Sequence, residues 1–317
     1  MTSYVQRLAE RSQSVGSFVC IGLDPPAEVP VEQVASRNRA LIEATAPYAA
    51  CFKPNLAFYE QFGIPGLRAL EQTLAAIPEG IPVIADGKRG DVGNTAAAYA
   101  RSLFEVWGFD AATVNPFQGR DAVEPFLAYE DRGVYLLCRT SNPGSATVQN
   151  ALLASGEPLY ERLAKEMPSW GPNVGLVVGA TAPSELVRVR TLAPSTTLLV
   201  PGVGTQGGDP AEVVAAVNAD FGNMVVNASR SIANAPDPAT AARELRDALS
   251  NPVSEFKEVA VGDVWRMGRQ HPCGGWEWRV YRTGADIGLA CLECGRRVML
   301  ERRRFEQRAK TRVSTSS

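Results

Sequence analysis

No run of about 18 apolar residues occurs anywhere in the 317-residue chain, so no membrane-spanning helix is expected. The opening MTSYVQRLAERSQSVG lacks the basic head, apolar centre and small-residue cleavage site of a secretion signal. It reads as an amphipathic first helix, and a cytoplasmic protein is expected. Charge of neither sign dominates: 32 Lys and Arg stand against 34 Asp and Glu, a net −2. Cysteine is sparse, and its placement argues against a disulfide framework. Cys20, Cys51 and Cys138 fall in apolar, strand-like stretches and read as inert core thiols. Cys273, Cys291 and Cys294 crowd the tail, a pattern that points to metal in a reducing compartment.

What is present is a sizeable core, with 45% hydrophobic and 21% charged residues. One unit recurs from residue 18 to about 250: a short apolar run, then a segment rich in Ala, Leu, Glu and Arg. The runs are FVCIGLDP, ACFKPNLAFYE, IPVIADGK, AATVNPF, GVYLLCRTS, NVGLVVGA, TTLLVPGVG and NMVVNASRSI, eight in all. Near-continuous apolar strands separated by helices imply parallel pairing with both faces buried. Eight such units predict an α/β fold, a (β/α)8 TIM barrel over residues 1–250, with a doubly wound open sheet as the rival. A linker is expected over 251–260, a small Cys/His-rich β domain over 261–312, and a disordered tail over 313–317.

In TIM barrels the functional residues lie at the C-terminal ends of the strands. Just past the apolar runs stand Asp24, Lys53, Asn55, Asp86, Lys88, Asn115, Thr140, Ser141, Gln206 and Arg230. The third run, VIADGKRGDVGNT, is the most charged. Alternation along a strand puts Asp86 and Lys88 on one side, facing the barrel mouth. Asp91 follows in the turn, and Lys53 leaves the neighbouring second strand. An alternating array of Lys53, Asp86, Lys88 and Asp91 holds each lysine protonated, because opposite charge favours the ionised form. Such a lysine suits proton donation to a carbanion and not imine chemistry, which needs a neutral amine.

FKPNLAFYE together with DGKRGDVGNT resembles the orotidine 5'-phosphate decarboxylase family, in its longer bacterial subgroup. The stretches GLDP with Asp24, TSNPGS with Ser141, PGVGTQGGDP with Pro201 and Gln206, and NASRSI with Arg230 carry the same resemblance over residues 1 to about 250. The resemblance implies conversion of orotidine 5'-monophosphate to uridine 5'-monophosphate in pyrimidine synthesis, with neither metal nor cofactor in catalysis. It implies Lys88 as the proton donor at C6, with Asp86 and Asp91 bordering the departing carboxylate. Asp24 and Lys53 are implied on the ribose hydroxyls, Ser141 on the pyrimidine edge, and Gln206 and Arg230 towards the phosphate. Asp91 and Thr95 are implied to complete a neighbouring subunit's site, which makes a homodimer the expected assembly. The rivals are a sugar-phosphate decarboxylase or lyase of the same suprafamily, and a nucleotide-sensing or nucleic-acid-binding protein acting through its tail.

Residues read directly support the phosphate end. The glycines after the seventh run allow backbone N–H groups to approach an anion. Arg230, after the eighth, offers a bidentate fork.

The tail has different chemistry. His271, the single histidine, stands one residue from Cys273, and Cys291 and Cys294 form a C-x-x-C further on. Two close pairs on turns between short β-like runs fit a structural zinc ribbon, with the cysteines the firmer ligands and His271 tightly spaced. A small β module with reduced thiols is the alternative. H-P-C-G, G-A-D and C-x-x-C-G-x-x-V-M also resemble a bacterial domain family of unknown function, which implies no activity. Residues 255–317 hold 13 Lys and Arg against 8 Asp and Glu. Their final stretch GRRVMLERRRFEQRAKTRV is expected to be a solvated basic helix, with nucleic-acid contact the alternative.

Overall fold

The computed structural model describes all residues except 1, 182, 204–208, 218, 251–258, 269, 285, 303, 304, 306, 307 and 315–317. The chain divides into two compact units, residues 1–250 and 251–317.

All eight apolar runs of the first unit are strands: β1 (Val19–Gly22), β2 (Cys51–Lys53), β3 (Ile84–Arg89), β4 (Ala111–Val114), β5 (Gly133–Arg139), β6 (Val174–Val178), β7 (Thr197–Pro201) and β8 (Met224–Ala228). Every neighbouring pair is parallel, in the order β2-β1-β8-β7-β6-β5-β4-β3. Isolated parallel bridges, Phe52 with Val83 and Asn55 with Asp86, join the two ends. That closes the barrel and removes the open sheet.

Helices follow the strands, for example Val31–Thr45 after β1 and Gly93–Arg101 after β3, and cover the outer face. The barrel interior is filled by small and medium residues, Cys20, Cys51, Ile84, Ala111, Val177 and Val225, around Tyr135. Helix α1 (Tyr4–Val15), started by a Ser3–Gln6 capping box, adds Tyr4 and Leu8 to this cluster. The Tyr4 and Tyr135 rings meet edge-on at 5.9 Å, with their hydroxyls 3.1 Å apart. Cys20, Cys51 and Cys138 are buried free thiols, and burial pushes Cys138 up to about 12.

The second unit is a five-stranded antiparallel sheet, ordered β12-β11-β10-β9-β13. Its strands are β9 (Val264–Met267), β10 (Glu277–Arg282), β11 (Asp286–Cys291), β12 (Arg297–Glu301) and β13 (Ala309–Ser314). Two expectations fail here. The basic stretch is not one helix, because Arg297–Glu301 pairs along β11 and Ala309–Ser314 pairs along β9. Val298 and Leu300 alternate with Arg297 and Met299, a period of two that a hairpin partner turns into a strand. Val313 and Ser314, expected to begin a disordered tail, belong to β13, with Ser314 opposite Val264, and residues 315–317 lie outside the described residues. Most of the expected linker, 251–258, lies outside the described residues.

Candidate active site and metal centre

At the C-terminal mouth of the barrel, β2 and β3 deliver two lysines to one carboxylate. Lys53 Nζ lies 2.6 Å from Asp86 Oδ2, and Lys88 Nζ lies 2.5 Å from Asp86 Oδ1. Lys53 and Asp86 are buried, whereas Lys88 is half exposed. Burial alone would raise the Asp86 carboxyl, but the Lys53 and Lys88 ammoniums outweigh it and hold it well below the usual carboxylate range. Burial likewise opposes the charge on Lys53, yet Asp86 and then Asp24 lift it above its ordinary value. Two ammoniums facing one carboxylate leave this three-residue cluster with one excess positive charge.

Simple alternation is not what aligns Asp86 with Lys88. The β3–β4 register shifts between Ala85 and Arg89, and Lys88 has φ +45°, the one positive φ among described non-glycine residues. A lysine in this left-handed region is strained by about 1 kcal/mol or more. Thr113 of β4 bridges the break, accepting the Lys88 backbone N–H at 3.0 Å and donating to Asp86 Oδ1 at 3.1 Å. Sequence reasoning missed Thr113. Its signal is a single hydroxyl inside AATV, and the residue is fully buried.

A cavity of about 690 Å³ opens beside this cluster. Asp24, Lys53, Asp86, Pro201 and Arg230 all line it, together with Asn227, which sequence reasoning also missed. Asp24 accepts the Asn55 backbone N–H at 3.1 Å, which ties the end of β1 to the end of β2. Arg230 is exposed and makes no ion pair with a described residue. Gln206 lies outside the described residues.

The remaining expected residues stand apart from that cavity. Ser141 packs against Gly179 after β6, where an added Cβ would sit 2.8 Å from the Ser141 Cβ. Its loop is braced by Arg139, which donates to the Thr140 carbonyl at 2.8 Å and pairs with Glu185 at 2.7 Å. Asp91 does not join the array in its own chain: it forms no ion pair with either lysine and accepts the Val92 N–H. Thr95 is exposed on the helix that follows.

In the second unit the turn after β9 carries His271 and Cys273, and the β11–β12 turn region carries Cys291 and Cys294. Their ligand atoms all lie within 4.8 Å of one another. Cys273 and Cys291 sulfurs are 3.7 Å apart, and Cys294 Sγ lies 3.5 Å from His271 Nδ1. A tetrahedral ion with sulfur at about 2.3 Å requires sulfur pairs about 3.8 Å apart, so this donor set fits one. His271 belongs to the set despite its tight spacing.

Residues 17–245 match the family described as Orotidine 5'-phosphate decarboxylase / HUMPS, and residues 259–313 match one described as Bacterial protein of unknown function (DUF951). An orotidine 5'-phosphate decarboxylase of Thermomicrobium roseum is 46% identical over 266 residues, covering 78% of this chain and 95% of that protein. One from Haloarcula marismortui is 49% identical over 253 residues, covering 76% and 90%. The solved structure of Leishmania donovani OMP decarboxylase superimposes with a TM-score of 0.73 at 40% identity, covering 79% of this chain and 98% of that one. With eight parallel strands, paired lysines on Asp86 and a match across nearly the whole first unit, the chain belongs to the orotidine 5'-phosphate decarboxylase / HUMPS family.

Proposed function

We propose that the chain decarboxylates orotidine 5'-monophosphate to uridine 5'-monophosphate, serving pyrimidine synthesis. The observation that carries this reading is the Lys53–Asp86–Lys88 cluster beside a cavity that Arg230 also lines. When the C6–carboxylate bond breaks, its electron pair stays on C6 and carbon dioxide leaves. Lys88 then delivers a proton from Nζ to that carbon. Two unit charges about 4 Å apart at an effective dielectric near 20 interact by about 4 kcal/mol. At 1.36 kcal/mol per tenfold, a fixed ammonium alone supplies about three orders of magnitude.

The other roles follow the cavity. Asp24 and Lys53 hold the ribose hydroxyls, Arg230 with Gln206 and Pro201 the phosphate side, and Ser141 the pyrimidine edge. No metal or cofactor takes part in this chemistry.

Asp91 and Thr95 act on a second copy of the chain, which makes the working unit a homodimer. Support comes from Phe117, which is 81% exposed and shares a recess with Lys88, and from Val92, exposed beside Asp91. Zinc held by His271, Cys273, Cys291 and Cys294 staples the small unit, whose core is too slight to fold securely alone. Among the described residues no helix is long and apolar enough to cross a membrane, and a cytoplasmic enzyme fits this role.

The test is steady-state release of carbon dioxide from orotidine 5'-monophosphate, with and without a chelator. Turnover that survives chelation supports the reading. Absence of turnover in the metal-replete protein overturns it, and dependence on magnesium favours a sugar-phosphate enzyme.

A further inference from the structure

One face of the five-stranded sheet is covered by the small unit's core, where Trp265, Trp278, Val280, Ile287 and Leu289 are buried. The opposite face is exposed and cationic. Arg266 lies opposite Glu277 and Thr311, while Arg279, Ala290 and Arg297 form one cross-strand row. Arg266, Arg279 and Arg297 are all exposed, and none forms an ion pair with a described residue. By register three carboxylate residues share this face, Glu277 opposite Arg266 and Asp286 opposite Glu301 at one end of their strands, and Arg282 opposite Gly288 adds a fourth arginine.

Two of these arginines lie over aromatic rings. The Arg266 guanidinium lies 5.6 Å from the Trp276 ring centre, and that of Arg297 lies 4.9 Å from the Tyr281 ring centre. Tyr281 covers Gly288, where a Cβ would come within 2.7 Å of the ring, and its hydroxyl donates to Met299 sulfur at 3.4 Å. The ring is therefore fixed flat on the sheet. A guanidinium held over a ring by cation–π attraction still has N–H groups to offer an anion and a flat surface to offer a base.

We infer that this face binds single-stranded nucleic acid, with Arg266, Arg279 and Arg297 on phosphates and Trp276 and Tyr281 with their overlying guanidiniums as base platforms. Charge complementarity selects a polyanion, and the ring–guanidinium pairs select one carrying planar bases. Five strands spaced about 4.8 Å apart make a face about 19 Å wide. The duplex major groove, about 12 Å wide, admits a helix or a two-stranded ribbon and not such a sheet. The site lies in the second unit and does not depend on decarboxylation.

The test uses the full chain and fluorescence anisotropy with a labelled mixed-sequence single strand, the same sequence as duplex, and phosphatidylserine vesicles. Tightest binding to the single strand is expected, weakening with salt at a slope of roughly −0.7 per neutralised phosphate. The double variant Arg279→Ala/Arg297→Ala loses at least about tenfold in affinity and about 1.4 in slope. Trp276→Ala loses about tenfold with the slope retained. Arg297→Lys keeps the charge but not the flat guanidinium, so it guards against misfolding as an explanation: it retains the slope and loses affinity. Turnover on orotidine 5'-monophosphate is unchanged in all of them. Equal or tighter binding of duplex or vesicles, no binding at low salt, or variants indistinguishable from the parent would overturn the inference.

Discussion

Lys53 and Asp86 pair at 2.6 Å across the one junction in the barrel where neighbouring strands meet through isolated bridges and not a continuous ladder. The ion pair therefore spans the seam that closes the barrel. Asp86 also carries Lys88, so one carboxylate both secures the seam and aims the second ammonium.

Lys88→Ala is expected to reduce turnover by about three orders of magnitude or more, from the roughly 4 kcal/mol a nearby ammonium contributes. Nucleotide binding should fall far less, because Asp24 and Arg230 line the cavity independently of it. Steady-state kinetics beside calorimetric titration with uridine 5'-monophosphate separates the two. Normal turnover would remove the proton-donor role.

Asp86→Asn leaves Lys53 buried without its counter-charge, a defect that costs about 3–5 kcal/mol. The pH dependence has a definite sign. Asp86 is depressed in the folded state, so its contribution is complete above the unfolded value of about 3.9 and is lost as pH falls below that. Lys53 is raised, so its share is complete below about 10.4 and is lost only at higher pH. Urea unfolding of parent and variant should show a constant gap from about pH 5 to 9, narrowing below about pH 4. A gap that widens on acidification would contradict the geometry.

The barrel was legible because each strand, buried on both faces, writes an apolar run such as NVGLVVGA, and polar residues then mark one rim. Asp24, Lys53, Asp86 and Arg230 converge for that reason. Lys88 meets Asp86 by a route that strand alternation does not describe, since its left-handed backbone and the register shift decide its direction. Thr113 was invisible because its role depends on the ladder break in a different strand. The basic tail misled because one strand of alternating Arg, Val, Met and Leu carries no local sign of its hairpin partner.

Removing metal should unfold the small unit and spare the barrel. Cys294→Ser, or a strong chelator, is expected to abolish stoichiometric zinc and lower the first unfolding transition seen by calorimetry, while decarboxylation continues. All four donors lie in residues 251–317, and Lys53, Asp86 and Lys88 lie in 1–250. Proof against the metal reading is a purified chain that binds no zinc and melts identically after chelation.

Mixed dimers test the sharing of Asp91. If Asp91 serves the neighbouring copy, Lys88→Ala and Asp91→Ala chains are each inactive as homodimers but complementary when paired. In a mixed dimer one site combines both defects, and the other receives Lys88 from one chain and Asp91 from its partner. Random association makes half the dimers mixed, so recovered activity approaches roughly a quarter of the parent's. The single chain already separates the two groups, with Lys88 bound to Asp86 and Asp91 turned to its own Val92 N–H. Co-expression with two affinity tags isolates the mixed species directly. Activity no greater than that of the two homodimers would place Asp91 in its own chain's site.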